Sequence, residues 1–223
     1  MVRNIIYTLF CVAMFSVAMF AQANPQATPT PDSLPKANQR PPEKPAAEPF
    51  DKADVPTMAS KCVSIETEAG VINIELYSES APESVRNFLN LVATGAYDTT
   101  LFSRVVPGFV IQGGDLYTRE GKMTYALGMR ARKTIVDEPN KILHERGVVS
   151  MARSDESNTA STHFFILVAT ASGLDGKFAA FGRVVQGMDV VDTINKVPVE
   201  NEKPAKPVRI KKAVVQACAA APK

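Results

Sequence analysis

A long basic side chain and a long amide side chain interrupt an otherwise apolar stretch at residues 102–115. Arg104 and Gln112 lie in two short runs that are typical of strands, joined by a Pro107-Gly108 turn. Burying a guanidinium and an amide among apolar side chains costs free energy unless their hydrogen-bonding groups are used. The two side chains therefore either satisfy each other in a core or point together into a site.

The sequence lacks the residues that several kinds of catalysis require. The chain has no G-x-S-x-G elbow, no Walker-A loop and no H-E-x-x-H motif. Its two histidines, His144 and His163, have no ligand-like spacing, so we expect no metal and no cofactor. His163 follows Ser161 and Thr162, but neighbouring strand residues point to opposite faces, which argues against a hydrolytic triad.

What remains is an apolar pocket with few polar groups. If the predicted strands form one sheet, aromatic and aliphatic side chains cluster near Arg104 and Gln112, namely Phe109, Phe164 or Phe165, Leu174, Phe178 and Phe181. Such a pocket, with one cation and one amide, suits a neutral apolar ligand that carries a carbonyl. Proline is such a group.

The elements that must position this pocket are mainly short strands. Alternating patterns predict a hairpin over residues 62–76, and further apolar runs predict strands up to residue 218. Ser80 and Glu83 have capping-box spacing ahead of one amphipathic helix, and Gly187 opens a second. The predicted elements are about eight short strands and two helices, without the alternation of strands and helices that βαβ units show. They predict a mainly β fold, a closed eight-stranded antiparallel barrel capped by two α-helices. Residues 116–143 are left as a long polar loop without assigned chemistry.

Composition changes along the chain divide it into four parts. Residues 1–23 combine a basic start, a 16-residue apolar run and the sequence Ala-Gln-Ala, which predicts a signal peptide cleaved after Ala23. An uncleaved membrane anchor is the alternative, although spanning a bilayer takes about 20 apolar residues. Residues 24–60 are proline-rich and predict a disordered linker. Residues 61–218 form the predicted domain, and residues 219–223 a C-terminal tail.

The predicted leader and the net charge indicate where the protein acts and which partners it binds. The leader predicts a periplasmic or secreted protein, with no stable membrane insertion after cleavage. A net charge of +2 argues against nucleic acid as a partner. We expect a monomer.

Cys62 begins the first predicted strand and Cys218 ends the last. Antiparallel pairing of these strands would bring the two cysteines together as a disulfide in an oxidising compartment.

The motif at residues 102–115 closely resembles the signature of the cyclophilin family of peptidyl-prolyl cis–trans isomerases. The resemblance continues, in order, through Ala-Pro-x-x-Val-x-Asn-Phe at 81–88, Gly-Val-Val-Ser-Met-Ala at 147–152, Phe-Phe-Ile at 164–166, Leu-Asp-Gly-Lys at 174–177 and Phe-Gly-Arg-Val at 181–184. It spans residues 63–215, and its form is similar to that of exported bacterial single-domain members. It implies an eight-stranded barrel closed by two helices.

The resemblance also implies roles for individual residues. Arg104 matches the catalytic arginine of the family. The family's proline pocket is matched by Phe109, Val110, Phe165 and Leu174, and its substrate-backbone positions by Gln112, Ala152 and Arg153. His163 stands where the family usually has glutamine, so a pH-dependent substrate affinity is one expectation and a neutral spacer the other.

Two rim positions depart from the family pattern. Gly173 replaces the usual tryptophan, a residue that commonly donates a hydrogen bond to cyclosporin, so weak cyclosporin binding is expected. Phe178 replaces a common histidine and makes the rim more apolar. His144 has the appearance of an ordinary loop residue.

The resulting prediction is an exported prolyl isomerase that acts on proline-containing, unfolded or partly folded exported proteins. The intact set of Arg104, Phe109 and Gln112 favours catalysis. The alternatives are a peptide-binding chaperone module with little turnover and a tethered structural protein that uses its proline-rich arm.

Overall fold

The computed structural model describes residues 47–218 of the 223-residue chain. The predicted leader at 1–23, the predicted linker as far as residue 46 and the tail at 219–223 lie outside this part. The described strands are β1 (Lys61–Thr67), β2 (Gly70–Leu76), β3 (Arg104–Val106), β4 (Val110–Gly113), β5 (Val148–Met151), β6 (Phe164–Leu167), β7 (Ala180–Gln186), β8 (Val199–Glu200), β9 (Lys203–Pro204) and β10 (Ile210–Ala217).

Within residues 47–218, four α-helices accompany these strands where the sequence predicted two. They are α1 (Val55–Ala59), α2 (Pro82–Ala93), α3 (Tyr125–Arg132) and α4 (Met188–Asn195). Helix α1 has only five residues, too few for a clear amphipathic period, and the eight-residue helix α3 has no buried side chain and so lacks an apolar stripe. Within residues 47–218, no helix combines the length and the apolar character that crossing a membrane requires.

Eight of the strands form one curled antiparallel sheet in the order β10-β1-β2-β7-β5-β6-β4-β3, and β8 and β9 form a separate small hairpin. No ladder joins β3 to β10 in the described part of the chain, where the two ends of the sheet are linked through an isolated bridge between Leu101 and Arg209. The expected closed barrel is therefore not confirmed, and the sheet is an open half-barrel. Strand β3 has only three residues, and its Val105 amide donates to the carbonyl of Glu202 in the β8–β9 hairpin rather than to β10.

Helix α2 packs its predicted apolar stripe into the half-barrel. Val85, Phe88 and Leu89 are fully buried. The Phe88 ring lies 5.3 Å from that of Phe164 and 4.9 Å from that of Phe181. Aromatic contacts of this kind add to the free energy of burial. They hold α2 against the sheet, and the stripe prediction is confirmed.

The N-terminal boundary of the fold lies earlier than the sequence indicated. The expected disorder of residues 24–60 is wrong for residues 47–60, which contain α1. Pro56 lies in the first turn of this helix, where a missing N–H is tolerated, and the Asp54 carboxylate caps it by accepting from the Thr57 amide. Met58 is fully buried, so the high proline content obscured a short docked helix.

The predicted loop at residues 116–143 forms α3 and also supplies the cap of helix α2. The expected Ser80–Glu83 capping box does not form, because the N-cap of α2 is Ala81. Instead the Glu138 carboxylate accepts from the backbone amides of Glu83 and Ser84, at 2.9 and 2.7 Å. A carboxylate at a helix N-terminus satisfies free amides and complements the helix dipole. This segment therefore caps a core helix as well as forming α3.

The two ends of the described chain are tied together. Strands β1 and β10 pair antiparallel, with Cys62 opposite Gln216. Cys62 and Cys218 form a disulfide, with a Cα–Cα distance of 4.8 Å.

Candidate active site

One pocket of about 160 Å³ collects nearly all of the predicted site residues. It is lined by Arg104, Phe109, Val110, Gln112, Ala152, Arg153, Phe165, Leu174 and Phe178. These are nine of the ten predicted catalytic and substrate-binding residues, and His163 is the tenth. They come from β3, β4, the turn between these strands, β6 and the loops after β5 and β6, so only the folded sheet brings them together.

The floor and walls of the pocket are apolar. Val110 and Phe165 are buried on the neighbouring strands β4 and β6, and they pack with partly buried Leu174 and Phe178. The rings of Phe165 and Phe178 meet edge to face at 5.9 Å. Of the residues that the sequence left as alternatives, Phe165 lines the pocket. Phe164 and the predicted pocket residue Phe181 are instead fully buried in the core below it.

Arg104 and Gln112 are held side by side at the pocket. They are directly opposite each other in the β3–β4 register, and Arg104 Nη1 donates to Gln112 Oε1 at 3.2 Å. Arg104 Nε donates to Glu202 Oε2 at 2.7 Å. The Arg104 side chain is 42% exposed, so the guanidinium lies at the mouth of the pocket rather than in a core. The pair therefore points into the site, where its two side chains also bond to each other.

Arg153 and Ala152 already make contacts and hydrogen bonds within the protein. The Arg153 guanidinium lies 5.1 Å from the centre of the Phe178 ring and donates to the carbonyl of Ser154 at 2.8 Å. Cation–π contact of this kind orients both groups. The Ala152 amide donates to the His163 carbonyl, so this N–H is already used in the sheet.

His163 lies beside the pocket and outside its lining. Gly114 has a φ of +90°, and a Cβ there would meet the Thr162 carbonyl oxygen at 2.2 Å, so only glycine lets these two chain segments approach. Burial lowers the pKa of the His163 imidazole below its ordinary value, with the nearby Asp115 carboxylate opposing this effect. His163 is therefore neutral at pH 7.

A buried hydrogen-bond chain behind the pocket escaped the sequence analysis. His144, expected to be an ordinary loop residue, is fully buried, and its imidazole lies 3.0 Å from Ser150 Oγ and 3.2 Å from Asp175 Oδ1. The His144 amide also donates to Asp175, and its carbonyl accepts from Ala171. These bonds fasten the loop that carries Leu174 to β5. Although the residue types are those of a hydrolytic triad, Ser150 is fully buried and out of reach of a substrate.

A second residue missed by the sequence analysis braces the β3–β4 turn. Asn195, at the end of α4, accepts from the Gly108 amide at 2.8 Å. Its amide nitrogen donates to the carbonyls of Val106 and Val110, at 2.9 and 3.0 Å. A buried amide with all of these partners fixes the hairpin that presents Arg104. The apolar stripe of α4 gave no indication of this role.

Comparison with known proteins agrees with this geometry. Residues 62–215 match the family model described as cyclophilin type peptidyl-prolyl cis-trans isomerase/CLD. A peptidyl-prolyl cis-trans isomerase of Acinetobacter baylyi is 37% identical over 163 residues, which cover 69% of this chain and 84% of that protein. The peptidyl-prolyl cis-trans isomerase ppi1 of Schizosaccharomyces pombe is 40% identical over 155 residues, which cover 68% of this chain and 97% of that protein.

A solved structure shares the fold. The cyclophilin type peptidyl-prolyl cis-trans isomerase of Cryptosporidium parvum, crystallised in the presence of the dipeptide Ala-Pro, is 30% identical, with a TM-score of 0.62. The match covers 70% of this chain and 99% of that one. The chain thus belongs to the cyclophilin-type peptidyl-prolyl cis–trans isomerases.

Proposed function

We propose that this chain accelerates X–Pro isomerisation in exported polypeptides, with Arg104 stabilising the twisted amide. The observation that carries the proposal is the placement of the Arg104 guanidinium at the mouth of an apolar, aromatic-lined pocket. Amide resonance gives the X–Pro bond a barrier of about 18–20 kcal/mol. In the twisted state the proline nitrogen becomes pyramidal and gains a lone pair, which a guanidinium stabilises more than it stabilises either planar isomer.

The proposed substrate pose places the proline ring in the apolar part of the pocket. Phe109, Phe165 and Leu174 surround that part. With the ring anchored there, the segment on the other side of the bond turns next to Arg104 and Gln112. The Ala-Pro dipeptide used with the Cryptosporidium parvum relative supports a ligand of this kind. The proposed mechanism uses binding, orientation and charge, and involves no covalent intermediate.

The proposed site of action is the periplasm or the exterior of the cell, where a monomer would act on unfolded or partly folded exported proteins. The signal-peptide pattern at residues 1–23 and the Cys62–Cys218 disulfide support this, because disulfides persist in oxidising compartments. Intact mass and N-terminal sequencing of protein from cell fractions test it. We expect a soluble exported species beginning at Asn24. A membrane-bound species that retains residues 1–23 would show the uncleaved anchor instead.

A protease-coupled assay on an Ala-Pro peptide tests the activity and the role of Arg104. We expect wild-type protein to accelerate isomerisation and Arg104→Ala to lower kcat/KM by about 100-fold, the usual effect of removing one electrostatic group from an active site. Arg183→Ala is the control, because this arginine is exposed on β7 and does not line the pocket. If wild-type protein leaves the peptide at its uncatalysed rate while still binding denatured proteins, the chaperone function is correct and the isomerase proposal is wrong.

A further inference from the structure

The hairpin next to Arg104 has an unfavourable residue at its turn. Strands β8 and β9 are joined by Asn201 and Glu202, whose φ angles are +50° and +64°. Two-residue turns with both central φ angles positive favour Asn-Gly, because glycine has no Cβ to clash in the left-handed region. Asn201 fits this rule. Glu202 occupies the glycine position and bears a backbone strain that glycine would avoid.

Strain of this kind indicates function when the strained residue makes a specific contact. Glu202 makes two contacts with β3. Its carbonyl accepts from the Val105 amide at 2.8 Å, and its carboxylate accepts from Arg104 Nε at 2.7 Å. Glycine would keep the first of these contacts and lose the second. The side-chain contact to Arg104 is therefore what distinguishes glutamate from glycine at this turn.

We propose that Glu202 is a positioning residue for Arg104. It holds the Nε edge of the guanidinium while Gln112 holds Nη1, so two anchors fix the plane of the group. The remaining N–H groups are then presented to the substrate in one orientation. This inference rests on the proposed role of Arg104 in isomerisation and adds a residue from a separate hairpin, about 100 positions along the chain, to that site.

Substituting Glu202 separates positioning from folding. Glu202→Gly removes the carboxylate and relieves the strain, so we expect Tm to stay equal or rise while kcat/KM falls. Exposed ion pairs change an equilibrium by up to about fivefold, and both side chains are partly exposed, so the expected fall is about three- to fivefold. The fall should be in kcat rather than in KM, because the proline pocket is untouched. A residue that only supported the fold would lower activity and Tm together.

Glu202→Gln tests the charge, because glutamine keeps a hydrogen-bond acceptor and the length of the side chain. We expect a loss of about twofold. We also expect raised ionic strength to lower the wild-type kcat/KM and to leave that of Glu202→Gln nearly constant, since salt screens exposed charge pairs. Glu200→Gln is the matched control. It removes the same charge from the same hairpin at an exposed residue that makes no ion pair with the described part of the chain, and it should behave as wild type.

Parallel assays of Arg104→Ala and Arg104→Ala/Glu202→Gln keep the two proposals distinguishable. We expect the second substitution to have no effect once Arg104 is absent. If Arg104→Ala is slow while both Glu202 variants match wild type or exceed it, the positioning role is wrong and the proposed function stands. If Arg104→Ala keeps the wild-type rate, both proposals are overturned.

Discussion

Replacing His144 with alanine should destabilise the protein strongly. The substitution removes a buried side-chain hydrogen bond to Ser150 and a partly buried one to Asp175, and it leaves a cavity. A buried polar group left without a partner costs about 1–3 kcal/mol. Ser150 would bear that full cost, whereas Asp175 keeps the His144 amide as a donor. Adding the lost ring packing, we expect the free energy of unfolding to fall by about 3 kcal/mol, a value typical of breaking a buried network.

Urea unfolding and calorimetry measure this loss. For a domain of this size, 1 kcal/mol corresponds to about 2–4 °C, so Tm should fall by about 6–12 °C. KM for an Ala-Pro peptide should rise more than kcat falls, because the loop that loosens carries the pocket residue Leu174.

A double-mutant cycle with Ser150→Ala shows whether the imidazole–hydroxyl bond accounts for the effect. We expect the double variant to be more stable than the sum of the single changes implies, by about 1 kcal/mol, because paired residues couple. A loss below about 1 kcal/mol for His144→Ala, or strict additivity in the cycle, would refute this reasoning.

Three further predictions concern other parts of the structure. The Cys62→Ser/Cys218→Ser variant should lose up to about 5 kcal/mol of stability in urea while its kcat stays constant, because the disulfide closes a loop of 156 residues; a loss below about 1 kcal/mol would contradict this. Burial lowers the pKa of His163 in the folded protein below its value in the unfolded chain. As pH falls below 6.5, the unfolded chain binds a proton at this residue before the folded protein does, so the stability that this group contributes is present above that pH and lost below it. His163→Gln should reduce the fall in Tm between pH 7 and 5, and an unchanged pH profile would count against this. Gly173→Trp should bind cyclosporin roughly fivefold more tightly by calorimetry, since a Cβ at Gly173 meets nothing within 4 Å and one hydrogen bond is worth about 1 kcal/mol. Gly173→Phe, which lacks the N–H, should gain less, and equal gains would contradict the hydrogen-bond explanation.

Local patterns were sufficient to predict most of the strands and the pocket. The alternation in β1 and β2 and the stripe of α2 are short-range signals, and they give the correct elements. The residues 102–115 motif places Arg104 opposite Gln112 because a two-strand hairpin fixes its own register. The family resemblance added Ala152 and Arg153 and selected Phe165 over Phe164, and the structure brings these three residues to the same pocket.

Features that depend on distant contacts were not predictable in this way. Glu138 caps a helix more than 50 positions earlier, and Asp175 bonds to His144 across 31 positions. Neither pairing has a local sequence period. The open edge of the sheet has a similar origin, since whether β3 meets β10 is decided by the hairpin that contains Glu202.

Exchange of an Ala-Pro peptide between its cis and trans forms, followed by NMR at saturating enzyme, tests the role of Arg104 most directly. Arg104→Lys is the most informative variant, because lysine keeps the charge and lacks the planar fork that bonds to Gln112 and Glu202. We predict that this variant binds the peptide with nearly the wild-type Kd and exchanges it about 100-fold more slowly. Exchange at the wild-type rate by the bound variant would contradict stabilisation of the twisted amide by the oriented guanidinium of Arg104.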